Sequence, residues 1–356
     1  MTSRSQAIVP AAAVPDNSTM RPGPLFVVGM WRSGTSLLYA LLNQHPQISL
    51  MYEGELPLLH SLFVFPRRSA SWLQKWDAWN GALTRHRVDH SQIDANISNL
   101  ADAERAVCEQ IARRKGATIW GCKSPSYFDC MEDLSRWFPE AKFIVIWRDP
   151  ADVCRSMINA ARKSAWFARP GMDLRAVLGY FSMKQQADKL VQTGVAIHQL
   201  QYNDLVRDPQ GTVLEICEFL RIPFDPRMST LEGADSSAIY GGEHHTNVKS
   251  ADIKKVEKNR PEVLSPELKR KIQRYVAHWR KQTSGAWPVY ADPGVGELPS
   301  RWELASDQVK YQLLRRYDLT IPYLYAFLPL PLWQRYRSLK QRRLNAKVGS
   351  PPARAA

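Results

Sequence analysis

The densest chemistry in this 356-residue chain lies at residues 26–38, FVVGMWRSGTSLL. An apolar segment runs into a turn bracketed by Gly29 and Gly34, and an apolar-periodic helix (Leu37, Leu38, Leu41, Leu42) follows. Glycines let successive backbone N–H groups converge, and the helix start adds the positive end of its dipole. Together they make an anion cradle formed by Arg32, Ser33, Gly34, Thr35 and Ser36. The spacing is that of the nucleotide-binding P-loop, GxxxxGK[ST], with one departure. Thr35 stands where the lysine would be, and the cation has moved into the loop as Arg32. That lysine and its magnesium reach β- and γ-phosphates, so its loss argues against ATP or GTP chemistry. On this pattern alone, an ordinary glycine-bearing strand–helix turn is the competing reading.

A second cation ends another apolar run, residues 142–157 (KFIVIWRDPADVCRSM), where Arg148 is followed eight residues later by Ser156. Ligands of open α/β sheets gather at the carboxyl ends of strands, so this pair reads as a clamp for a second phosphate. The alternative has Arg148 paired with Asp149 or Asp152 and Ser156 facing a neighbouring helix. Two acids, Glu53 and Glu55, follow the first helix, and Lys123 closes a third apolar segment.

Positioning these groups requires strands that alternate with helices. Leu25–Met30, Thr118–Cys122, Lys142–Trp147 and Val195–Tyr202 read as four buried strands, and helical patterns separate them. The expected fold is therefore α/β, a P-loop-type parallel sheet flanked by helices, with a helical C-terminal extension. Asp149-Pro150, Asp208-Pro209 and Ser265-Pro266 each put a capping side chain before a proline suited to a first helical turn. Ile272, Tyr275, Val276 and Trp279 recur at helical spacing and predict one buried face. Residues 56–99 look irregular, rich in Trp and Arg, and suited to covering a substrate. The expected organisation is a disordered leader at 1–23, a catalytic domain at 24–288, an extension at 289–334 and a basic tail at 335–356.

Composition restricts the partners. A formal charge of +14 favours an anionic ligand, an acidic polymer or an anionic membrane surface. The five cysteines are odd in number and lack CxxC spacing, which suggests neither a disulfide framework nor a zinc site and points to a reducing compartment. His244 and His245 have no apparent third metal ligand, so no metal is assigned. Residues 1–23 lack the apolar core of a signal peptide, and no apolar run is long enough to span a bilayer. A cytoplasmic location is the expectation. Residues 321–333 are apolar and aromatic, and 335–356 carry seven basic residues with no acid. This segment reads either as a docking piece with a solvated end or as a peripheral contact with an anionic membrane.

The loop with arginine in place of the lysine resembles the 5'-phosphosulfate loop of PAPS-dependent sulfotransferases (PAPS is 3'-phosphoadenosine 5'-phosphosulfate). The likeness is to the branch that includes protein-tyrosine sulfotransferases and related bacterial enzymes, and it continues into Leu42–Pro46, LNQHP. It extends patchily from about residue 25 to residue 280. The strand–Arg–Asp–Pro run with Ser156 resembles the family's 3'-phosphate site, so two phosphate sites on two strand ends imply PAPS as co-substrate and PAP (adenosine 3',5'-bisphosphate) as product. Residues 200–209, LQYNDLVRDP, are similar to a family segment whose tyrosine lies beside the nucleotide, which gives Tyr202 that role. Residues 244–254 occupy the place of a nucleotide-covering loop, and Lys249, Ser250 and Lys254 are its candidate phosphate contacts. The family's catalytic glutamate falls 21 residues after the loop arginine, which is Glu53 here; Glu55 is the fallback. Lys123 resembles the lysine that stabilises departing PAP, with Arg32 serving the same charge. His45 and His60 are the histidine candidates for a base, and His45 sits in a helix-ending His-Pro that suggests a structural role. An arginine expected about twelve residues after Arg148 is Ala160, with Arg162 nearby.

The resemblance implies an enzyme that moves a sulfuryl group to a hydroxyl: a peptidyl tyrosine first, a sugar or lipid hydroxyl otherwise. No nucleic-acid partner is expected. A P-loop kinase would need a lysine at position 35, and a non-catalytic polyanion binder would have no use for Glu53 and Lys123.

Overall fold

A computed structural model describes residues 23–57, 76–89, 93, 99–162, 164, 166–239, 248, 253, 263–282, 297–326, 328–329 and 331–339. Five parallel strands form the sheet: β1 (Leu25–Val28), β2 (Ile48–Tyr52), β3 (Ile119–Lys123), β4 (Lys142–Trp147) and β5 (Ile197–Gln201), in the spatial order β2-β3-β1-β4-β5. Register is continuous across the site end, with Tyr52 opposite Lys123, Val27 opposite Lys123 and Ile144, and Trp147 opposite Gln201. Strand side chains alternate between two faces. Phe26, Val28, Cys122, Phe143 and Val145 enter one core; Leu25, Val27, Ile144 and Ile146 enter the other. Each large buried side chain contributes about 1.5–3 kcal/mol.

Helices cover both faces. They are α1 (Thr35–Leu42), α2 (Asp77–Arg85), α3 (Leu100–Lys115), α4 (Met131–Trp137), α5 (Pro150–Ala161), α6 (Met172–Gln192), α7 (Tyr202–Arg207), α8 (Pro209–Leu220), α9 (Pro266–Gln282), α10 (Arg301–Ala326) and α11 (331–339). The three predicted caps form: Asp149 accepts from the N–H of Ala151 and Asp152, Asp208 from Gly211, and the Ser265 hydroxyl from Leu268. The face Ile272, Tyr275, Val276 and Trp279 is buried.

Two expectations need correction. The sheet has a fifth strand, β2, that the hydrophobic pattern did not separate from the turn before it. Residues 56–99 are not wholly irregular, because α2 forms there and buries Trp79 in the core. β2 is an edge strand, and its outward backbone groups are bonded by side chains and a turn instead of a neighbouring strand. The N–H groups of Ile48, Leu50 and Tyr52 donate to His45 O, Asn43 Oδ1 (2.8 Å) and His86 Nε2 (2.8 Å). The carbonyls of Ile48, Leu50 and Tyr52 accept from Lys115 Nζ (2.7 Å), Asn43 Nδ2 (3.5 Å) and Arg85 Nη2 (2.8 Å). An edge covered in this way cannot template pairing with another chain.

α10 docks across the sheet domain. Tyr311 donates to Asp129 Oδ2 (2.6 Å), Arg315 Nε lies 3.4 Å from the same atom, and Arg175 Nη2 donates to Leu314 O (2.9 Å). Asp129 ends the 3₁₀ turn Pro125–Asp129 that begins two residues after Lys123.

Candidate active site

Every strand delivers one candidate residue to the same carboxyl edge. Arg32 lies in the loop after β1, Glu53 follows β2, Lys123 ends β3, Arg148 follows β4 and Tyr202 follows β5. The chain leaves β1 toward β2 and β3 on one side, and β4 and β5 lie on the other. β1 therefore opens into the crevice where open α/β sheets bind ligands.

The cradle depends on its glycines. Gly34 has φ +103, and a Cβ there would stand 2.4 Å from the Tyr202 ring. A Cβ on Gly29 would stand 2.5 Å from Ser33 Oγ. Ser33 Oγ and Ser124 Oγ are buried with no hydrogen-bond partner among the described residues. Unsatisfied buried hydroxyls carry a desolvation cost that a ligand oxygen would relieve, so the loop fits an anion. Thr35 opens α1, and Ser36 Oγ lies 2.8 Å from the Tyr52 hydroxyl.

The two arginines meet over the loop. Arg32 Nε donates to Ser156 Oγ (3.2 Å), Arg148 Nη1 donates to Arg32 O (2.8 Å), and the Arg148 guanidinium lies 4.4 Å from the centroid of Tyr202. Arg148 is itself held at its carbonyl by Tyr180, while Asp152 pairs with Arg155 at 2.5 Å. Arg32, Arg148, Ser156 and Tyr202 are thus one cluster. Burial, then the Arg148 charge, pushes the Arg32 guanidinium below its usual pKa, a strain that a bound anion would relieve.

On the other side of the loop, Lys123 Nζ lies 2.6 Å from Glu53 Oε1 and 3.8 Å from the centroid of the Tyr52 ring. Lys123 is completely buried. Burial lowers its pKa, and the Glu53 carboxylate opposes that shift. Glu55 accepts from Ser126 Oγ (3.2 Å); burial, then the Glu53 charge, lifts its carboxyl to about 7. Glu55 therefore holds its proton to near neutrality. Arg32, Glu53 and Glu55 all adopt positive φ, at 68°, 54° and 60°. Such backbone costs of order 1–3 kcal/mol per residue and gathers at functional sites.

His45 is buried, with Nδ1 accepting from Gln47 N–H and Nε2 2.9 Å from Pro223 O. Those bonds fix the turn after α1. Ala160 is buried in α5, and Arg162 caps the helix end. Lys249, Ser250, Lys254, His60, His244 and His245 lie outside the described residues.

Four contributors escaped the sequence reading. Tyr52 spans Ser36 and Lys123; Arg85 and His86 hold the backbone of Tyr52; Ser126 holds Glu55. Only Tyr52 carried a signal, as the neighbour of Glu53.

A family model described as the sulfotransferase family matches residues 24–226. A putative protein-tyrosine sulfotransferase of Caenorhabditis briggsae is 23% identical over 214 residues, covering 57% of this chain and 67% of that protein. Protein-tyrosine sulfotransferase 1 of Homo sapiens is 25% identical over 258 residues, covering 68% of this chain and 60% of that protein. Among solved structures, the sulfotransferase domain from the Synechococcus PCC 7002 olefin synthase aligns with a TM-score of 0.48 at 19% identity, over 84% of this chain and 96% of that one.

Proposed function

This chain belongs to the sulfotransferase family, and from that premise we propose that it transfers the sulfuryl group of PAPS to an acceptor hydroxyl, that of a peptidyl tyrosine first. The observation that carries the reading is the meeting of the Arg32 loop with Arg148 and Ser156, beside the Glu53–Lys123 pair, on one sheet edge.

On this reading the backbone of residues 32–36 and the Arg32 guanidinium hold the 5'-phosphosulfate, and Arg148 and Ser156 hold the 3'-phosphate. Tyr202 flanks the nucleotide. When bound, PAPS supplies the sulfuryl group and a phosphate that leaves as part of PAP. The acceptor oxygen bonds to sulfur as the bond from sulfur to the phosphate oxygen breaks. Glu53 takes the acceptor's proton on its carboxylate. Lys123 and Arg32 neutralise the charge that grows on the departing oxygen. Charge stabilisation by fixed cations in a buried site is strong because little solvent screens it.

The tyrosine acceptor rests on the likeness to protein-tyrosine sulfotransferases and on the +14 charge, which suits an acidic peptide. The test is calorimetric titration with PAP, with ATP and AMP as controls, followed by sulfate transfer to tyrosine peptides, sugars and phenols. Micromolar PAP binding that is lost in Arg148→Ala and indifferent to magnesium supports the donor. Magnesium-dependent ATP binding without PAP binding overturns it. Transfer to a sugar or a small phenol and not to peptide overturns the acceptor alone.

A further inference from the structure

α10 is apolar on two opposite sides. Its inner side carries Leu304, Tyr311 and Leu314 against the body of the protein. Its outer side carries Trp302, Val309, Leu313 and Tyr317, which are 86%, 59%, 61% and 67% exposed. At 3.6 residues per turn these four fall within an arc of about 80°, one stripe along the helix. Leu332 and Leu339 on α11 are also exposed. Only one other large hydrophobic residue among those described, Leu214, is comparably exposed. Scattered exposed apolar residues need no explanation, but a run concentrated on one segment marks an interaction surface.

Among the described residues, the exposed charges bordering the stripe are basic. Lys310 and Arg316 on α10, and Arg335 and Arg337 on α11, are exposed. The acids Glu303 and Asp307 are turned to the body, where Glu303 pairs with Arg274 at 2.8 Å and Asp307 with Lys271 at 2.7 Å and, more loosely, with the exposed Lys310 at 3.6 Å. Beyond α11 the sequence continues to Ala356 with Lys340, Arg342, Arg343, Lys347 and Arg354 and no acid.

We infer that this stripe, with its basic flanks, seats the protein on an anionic lipid surface, α10 lying in the plane of the headgroups. A helix that lies on a membrane needs an apolar side bordered by cations. Trp302 and Tyr317, toward the two ends of the stripe, are the side-chain types that settle at the headgroup level. A second copy of the chain is the poorer occupant, because pairing two stripes would bring Lys310 and Arg316 of the two copies into like-charge contact. α10 is fixed to Asp129 at the end of the turn after Lys123, so seating it would hold the site at a set height above the lipid.

The test is co-sedimentation of the full chain with vesicles of phosphatidylcholine alone or mixed with phosphatidylglycerol. Binding is expected on the anionic vesicles only and should weaken as salt is raised. The combined variant Trp302→Ser, Leu313→Ser, Tyr317→Ser, shown to be folded by its thermal unfolding, should bind about tenfold or more weakly. A second variant, Arg316→Glu with Arg335→Glu, leaves the apolar stripe intact and should also lose affinity. Absence of binding to anionic vesicles overturns the inference. So does wild-type affinity in the stripe variant, which would assign the binding to charge alone. A vesicle-free dimer that the stripe variant converts to monomer would give the face to a second copy and overturn it as well.

Discussion

The Lys123 ammonium is buried 2.6 Å from the Glu53 carboxylate, joining the last residue of β3 to the first residue after β2. The backbone repeats the link, since Glu53 N–H donates to Lys123 O at 2.8 Å. Removing one partner of such a pair strands the other, so catalysis and stability are coupled at this point.

Glu53→Gln should lower turnover by about 10²–10⁴-fold while leaving PAP affinity nearly unchanged, as expected for loss of a general base. Glu55→Gln should lower turnover by less than about tenfold. If the losses are reversed, Glu55 is the base. For stability, Glu53→Gln and Lys123→Met should each cost about 3 kcal/mol, and the double variant less than their sum. Denaturant melts of the four proteins check the second point.

Gly34→Ala should abolish PAP binding and cost about 1–3 kcal/mol of stability, because a side chain there is strained at φ +103 and strikes Tyr202. Adding Tyr202→Ala should relieve the collision and leave the backbone strain. Calorimetry with PAP beside thermal unfolding separates the two effects.

Two desolvated groups give stability opposite pH dependences. Glu104 is buried in the core, accepts from the Tyr127 hydroxyl at 2.8 Å, and is pushed up to about 7 by burial. The unfolded chain loses that proton first, so the contribution is full below about 4.5 and is lost as pH rises to about 7. His86, desolvated and beside Arg85, is lowered to about 4 and accepts the Tyr52 N–H on neutral Nε2. Its contribution is present above about 6.5 and is lost as pH falls toward 4. In thermal scans from about pH 5 to about pH 7.5, Glu104→Gln should gain on the wild type as pH rises. His86→Gln should gain on the wild type as pH falls.

Asp129→Asn should loosen α10 from the sheet domain, since Asp129 accepts from Tyr311 and pairs with Arg315. A loss of about 1–3 kcal/mol is expected for the unpaired buried groups. Protease protection of residues 301–326 should fall with it.

The legible part of this protein was local. The Gly29–Gly34 loop, Arg148 and the Asp149 cap are strand–turn–helix features in which spacing alone fixes the geometry. β2 was not legible, because five residues leaving a turn and running into two acids carry no separate period. Arg85, His86 and Lys115 were unreadable for a different reason: they act on β2 from 33 to 67 residues away, and no short motif encodes that. The exposed stripe of α10 was hidden by its own helix, whose inner apolar residues interleave with Trp302, Val309, Leu313 and Tyr317 and blur the pattern. Sequence reading therefore singled out residues 321–333 and passed over the stripe before them.

The lining of the outer edge of β2 by Asn43, His86, Arg85 and Lys115 implies a division of labour in time as well as in space. The loop and clamp residues follow β1 and β4, strands flanked on both sides, whereas the proposed base follows a strand with one sheet neighbour and a border of side chains. Side-chain borders open more readily than ladders, so amide exchange at Leu50 and Tyr52 should outpace that at Val27 and Val145. Brief detachment of this margin would carry Glu53 away from Lys123 and break the Ser36–Tyr52 contact, while the Arg32, Arg148 and Ser156 contacts stay in place. Nucleotide occupancy would then survive excursions in which proton abstraction is switched off.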